Sequence, residues 1–132
     1  MCENFRTITA MIGGDTMNQI KNILHKYLCS DAIVVCELSE KAGDFVWLEE
    51  NGYFVRKTGE ETAKGKAYTK KHDKMLTEHF EKINDDSLST DNLNKLRQEL
   101  SRYIKKNPDI DIYEGLTESE SFAFRYVYHG RW

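Results

Sequence analysis

Proline is nearly absent from this chain: Pro108 stands alone among 132 residues. A sequence with so few breakers is built from uninterrupted elements joined by short connections. Cysteine is scarce and odd in number (Cys2, Cys29 and Cys36), with no CxxC spacing. That argues against a disulfide framework and reads Cys29 and Cys36 as small core residues in a reducing, cytoplasmic setting. No run approaches the ~18 consecutive apolar residues that span a bilayer, so no membrane is expected among the partners. The opening stretch MCENFRTITAMIGG lacks a basic start followed by an apolar core, and no secretory leader is expected. Basic excess is missing too. Nineteen Lys and Arg against 22 Asp and Glu give a net charge of −3, which argues against nucleic acid as the default partner.

Catalytic signatures are also wanting. The run Gly59 to Lys66, GEETAKGK, places five residues between its glycines and Ala67 after the lysine. A phosphate loop needs four, followed by Lys and then Ser or Thr. His72 and His79, seven apart, would lie about 10 Å from each other on a helix, too far to share a metal ion. Cys36 sits in apolar surroundings that would silence it as a nucleophile paired with His129. The sequence therefore assigns no catalytic residue, no metal site and no cofactor.

What is present is a soluble composition, 39% hydrophobic and 31% charged, with the length of one globular domain spanning 1–132. Residues 1–14, ending in Gly13-Gly14, read as a loose N-terminal segment, and Met17 is an alternative start. A first helix is expected to open at Asp15-Thr16, where the spacing of Thr16 to Gln19 fits a capping box, with Met17, Ile20, Leu24, Tyr27 and Leu28 on one stripe and Ile23 beside it. AIVVCEL, residues 32–38, is short, β-branched and apolar, and reads as a central strand. Asn51-Gly52 between residues 44–50 and 53–57 reads as a two-residue hairpin turn. It would set Leu48 opposite Val55 and Trp47 opposite Arg56.

Residues 60–83 carry a helical stripe of Tyr68, His72, Met75, Leu76, His79, Phe80 and Ile83, with Lys66, Lys70 and Lys74 in a row on the other side. Ser89 or Thr90 caps another helix, spaced by Leu93, Leu96, Leu100, Tyr103 and Ile104 and ended by Asn107-Pro108. DIDIYE, residues 109–114, alternates as a short strand. In SFAFRYVYH, residues 121–129, the aromatics Phe122, Phe124, Tyr126 and Tyr128 fall on alternate positions, which on a strand is one face. The expected fold is α+β, an antiparallel sheet of about five strands with three helices in the order α-β-β-β-α-α-β-β.

That order of elements resembles small toxin-immunity proteins and phage-encoded inhibitors of bacterial defence. The resemblance rests on arrangement alone, carries no residue over, and implies a non-enzymatic inhibitor or immunity-type protein acting by direct binding. The leading expectation is accordingly a cytoplasmic protein-binding module contacting its partner through Trp47, Phe54 and Arg56, joined by Arg125 and His129 if the last strand lies alongside. Trp and Arg recur at binding hot spots, although a core role for Trp47 is an equal reading. The second expectation is a nucleotide or nucleic-acid binder using Lys66, Lys70 and Lys74 with sheet aromatics. A solvated helix face is the ordinary reading of such a lysine row. An enzyme with a cryptic site is the third, and self-association through an aromatic face stays open.

Overall fold

Helix, not sheet, takes up the apolar sequence of this chain. A computed structural model describes residues 18–83 and 86–129, of which 67% are helical. The order is α1 (Ile20–Tyr27), α2 (Ser30–Ala42), α3 (Phe45–Glu50), β1 (Phe54–Val55), β2 (Glu60–Glu61), α4 (Ala63–Glu81), α5 (Thr90–Lys106) and α6 (Glu118–Tyr128). Among the described residues the only sheet is the antiparallel pair β1–β2, with Phe54 opposite Glu61 and Val55 opposite Glu60. The expected five-stranded α+β fold is thus corrected to a six-helix one, and the resemblance built on its element order falls with it. Residues 1–17, with the Thr16 cap and the loose N-terminal segment, lie outside the described residues.

Four of the five expected strands, 32–38, 44–50, 109–114 and 121–129, are helices or turns. The run at 32–38 lies inside α2, where Ala32, Ile33, Val35, Cys36 and Leu38 are buried together with Glu37, Glu40 and Lys41. A helix apolar on nearly every side is indistinguishable by periodicity from a covered strand. Its β-branched residues cost about 0.5 kcal/mol each in helical form, which burial of Ile33 and Val35 at about 2 kcal/mol each outweighs. The deciding residues are Glu37 and Lys41. Four apart, they stand ~6 Å from each other on a helix but ~13 Å on a strand, and here their charged ends meet at 2.6 Å.

The Asn-Gly signal closes a helix rather than a hairpin. Asn51 is the C-cap of α3 and Gly52 follows it at φ +76°. The Gly52 N–H donates to Glu49 O and the Tyr53 N–H to Leu48 O, the paired bonds of a Schellman motif. Trp47 and Arg56 are therefore not cross-strand neighbours. At the C-terminal end, Thr117 and Glu120 form a reciprocal capping box at the start of α6. A step of two residues turns a helix by about 200°, so Phe122 and Tyr126 share one side and Phe124 and Tyr128 the other. Phe124 and Tyr128 stack at 5.1 Å. Residues 109–114 form turns, held by the Asn18 side-chain amide, which donates to the Ile112 carbonyl at 2.8 Å.

α4 and α5 form where helices are expected, although Phe80, placed on the apolar stripe of α4, is 59% exposed. Thr62 caps α4, accepting from the Gly65 N–H, while its hydroxyl donates to the Gly52 carbonyl at 2.7 Å and ties the end of α3 to the start of α4. Gly65 belongs to this junction, not to a phosphate loop: a Cβ there would overlap the Tyr53 carbonyl. Ser89 caps α5, whose Leu93, Leu96 and Leu100 are buried.

α2 and α6 form the central pair. α1 and α5 cover the side reached through α6, and α3 and α4 pack on α2 from the other. The core joins Ile20, Leu24, Leu28, Ile33, Cys36, Leu96, Leu100, Phe124 and Val127. Polar clasps bind the layers. His25 of α1 donates from Nε2 to Glu120 of α6 at 2.6 Å, and Tyr27 donates its hydroxyl proton to Glu99 of α5 at 2.6 Å. His79 of α4 donates from Nδ1 to Asp31 of α2 at 2.8 Å.

Burial pushes Glu120 upward, but the Thr117 backbone N–H, the His25 ring and the Lys21 ammonium outweigh it and hold its pKa below the ordinary 4.5. A depressed folded-state pKa means the carboxylate favours the fold at neutral pH, a contribution lost as pH falls through the depressed value. Glu120→Gln keeps a capping side chain but no charge. It is expected to lower stability by about 1 kcal/mol at pH 7, measured by urea denaturation. The difference from the parent protein should narrow as pH falls below 4.5.

Candidate functional site

Where α2, α3, α4 and α6 meet, an aromatic cluster surrounds a buried ion pair. Trp47 of α3 lies 5.7 Å from Tyr53, 5.6 Å from Tyr68 of α4 and 6.0 Å from Phe122 of α6, ring centre to ring centre. Tyr53 and Tyr68 stack at 4.4 Å. Into this cluster α2 extends Lys41, whose ammonium sits 4.9 Å from the Trp47 ring centre and 5.1 Å from that of Phe122. Its partner Glu37 accepts from Lys41 on one oxygen and from the Ser119 hydroxyl, at 2.7 Å, on the other. Glu118 lies 3.5 Å from the same ammonium. The pair is almost closed to water, at 11% and 12% side-chain exposure, so its charges depend on each other for solvation. Burial pushes the Tyr68 phenol up to about 12, with Tyr53, Glu37 and Glu118 adding to the rise.

A different arrangement faces outward from the same elements. A depression of about 450 Å³ is lined by Glu40, Gly43, Asp44, Phe45, Val46, Arg56, Arg125 and His129. Asp44, the N-cap of α3, accepts from the Trp47 N–H at 3.0 Å on one oxygen, and its other lies 3.6 Å from Arg125. The Arg125 guanidinium also lies over the Phe122 ring at 4.3 Å. On the first turn of α3, Phe45 is 55% and Val46 49% exposed, and Val55 follows at 39%. Phe45 stacks on Phe54 at 5.3 Å.

Of the five residues expected to bind, Arg56, Arg125 and His129 thus come together around one depression, and Phe54 adjoins it through Phe45. Trp47 points the other way, into the aromatic cluster, and its cation is Lys41 rather than Arg56. Lys66, Lys70 and Lys74 are exposed along α4. Sequence reasoning missed Phe45 and Val46 as exposed contacts, because a strand reading divides them between two faces. It also missed Glu37 and Lys41, although opposite charges four apart at the end of an apolar run are a helix signal.

The described residues hold no group of three or more His, Cys, Asp or Glu side chains placed to bind a metal ion. Burial pushes the Cys36 thiol up to about 12, leaving it protonated and unreactive at neutral pH. No family model matches the chain, and neither the curated proteins nor the solved structures give a significant match. No described helix is long and apolar enough to cross a membrane.

Removing one half of the buried pair strands the other. Lys41→Met is expected to cost about 3 kcal/mol of folding stability, and Glu37→Gln combined with Lys41→Met less than the sum of the two single changes. Chemical denaturation of the three variants completes the cycle.

Proposed function

We propose that this chain is a protein-binding module whose contact surface is the rim formed by Phe45, Val46, Phe54, Val55, Arg56, Arg125 and His129. The observation that carries the reading is the exposure of Phe45 and Val46 beside one another on the first turn of α3, with Arg56, Arg125 and His129 around the adjoining depression. Exposed apolar groups at the centre and arginines at the edge are the composition of a recognition surface. Asp44 has both oxygens engaged within the fold. Arg56 makes no ion pair among the described residues. The surface therefore suits a partner segment carrying an apolar side chain next to a carboxylate. Binding there would act by occupying the partner's own surface, as an inhibitor does.

A second reading, binding to a polyanion such as nucleic acid, draws on one observation. Lys66, Lys70 and Lys74 stand one helical turn apart on the exposed face of α4, and none makes an ion pair among the described residues. Such like-charge spacing is mildly unfavourable within a helix, and phosphates would neutralise it.

The two readings separate experimentally. Tagged chain recovered from lysate of its source cells and weighed by native mass spectrometry is expected to carry a stoichiometric protein. Phe45→Ser with Arg56→Glu should abolish that complex without changing the melting temperature, since both side chains are exposed. Lys66→Glu, Lys70→Glu and Lys74→Glu together should leave it intact. A complex lost only with the lysine changes, or an oligonucleotide adduct in place of a protein, would overturn the first reading in favour of the second.

A further inference from the structure

Between α2 and α4 lies a second cavity, of about 390 Å³, lined by Glu37, Leu38, Lys41, Tyr53, Lys64, Ala67, Tyr68, Lys71, His72 and Met75. It is separate from the Phe45–Arg56 rim and of a size that suits a small molecule. Its walls are the apolar side chains Leu38, Ala67 and Met75 and the rings of Tyr53 and Tyr68. Its charges do not cancel. Glu37 is spent on Lys41 and Ser119, and His72 donates from Nε2 to the Leu38 carbonyl at 2.9 Å. Lys64 lies over the Tyr53 ring at 5.2 Å, and neither it nor Lys71 makes an ion pair among the described residues. Two ammonium groups are therefore unspent at the cavity. The Tyr68 hydroxyl, closed to solvent, has no hydrogen-bond partner among the described residues. A buried donor in that condition costs about 1–3 kcal/mol until an acceptor reaches it.

We propose that this cavity binds a small organic anion, an aromatic body bearing a phosphate or carboxylate. The body would lie against Leu38, Met75 and the Tyr53 ring, and the oxyanion would meet Lys64 and Lys71. Two ammonium groups that make no ion pair among the described residues line a cavity with apolar walls.

Phenyl phosphate tests the proposal on the full chain by ¹H–¹⁵N NMR titration up to about 10 mM, within reach of a fragment-sized ligand. Saturable shifts are expected at the amides of Leu38, Lys41, Lys64, Tyr68 and Lys71. Inorganic phosphate and benzyl alcohol, each holding half of the recognition, should bind at least about tenfold more weakly. Lys64→Gln with Lys71→Gln should weaken phenyl phosphate by about tenfold. Tyr68→Phe should leave the melting temperature equal or higher, because the orphaned hydroxyl is gone. Absence of saturable shifts along α2 and α4 would overturn the site. So would inorganic phosphate or benzyl alcohol binding as tightly as phenyl phosphate, or affinity unchanged in the double lysine variant. The Phe45–Arg56 surface is untouched by these substitutions, so protein binding stands or falls independently.

Discussion

Everything in this molecule is arranged around α2, a helix with no face left for solvent along most of its length. Ala32, Ile33 and Cys36 join the core, while Leu38, Glu37 and Lys41 meet α4, α3 and the start of α6. Because α2 is enclosed from both sides, its charged residues must be satisfied inside the protein. The Glu37–Lys41 pair does this, drawing Ser119 and Glu118 of α6 and the rings of Trp47 and Phe122 into one network. Removing water from such a pair is costly, and its attraction repays that cost only when every lone pair and proton is engaged. The network therefore specifies how α2, α3 and α6 dock rather than adding bulk stability.

The same enclosure explains which parts of the fold were legible in the sequence. α4 and α5 lie at the periphery with one apolar stripe each, so Leu93, Leu96 and Leu100 announce their helix, and Ser89 marks where it begins. α2 shows no stripe because it is covered on both sides. In α6 the alternation Phe122, Phe124, Tyr126, Tyr128 imitates a strand, since a central helix distributes its aromatics to opposite neighbours. The correct signal stood just upstream in Thr117 and Glu120, spaced as a capping box. Asn51-Gly52 was misleading for a related reason. The positive φ that glycine supplies serves a Schellman cap as well as a hairpin turn, and only the packing of Trp47 on Tyr68 decides which.

The candidate surface was partly readable for a reason unrelated to the expected sheet. Arg56, Arg125 and His129 were grouped on the premise of adjoining strands, yet they meet around a depression beside the N-cap of α3, where Asp44 reaches Arg125 of α6. Trp47 could not be separated from the contact residues by sequence alone. On a helix of six residues, Phe45 and Val46 face outward and Trp47 faces inward, a division that depends on the phase of α3 against α2. The short α3 and the two-residue strands bury no residue completely, so they form a thin layer on the firmer α2–α6 pair. A layer of that kind can present Phe45 and Arg56 to a partner while the ion pair beneath fixes its position.

The most direct test of this account is residue-resolved amide hydrogen exchange under native conditions. The slowest amides are expected in α2 and α6, from Ile33 to Leu38 and from Phe124 to Val127, opening only with global unfolding, while residues 45–61 exchange through a smaller local opening. Fast exchange across Ile33 to Leu38, or protection there no greater than in α3, would contradict a fold organised around a buried α2.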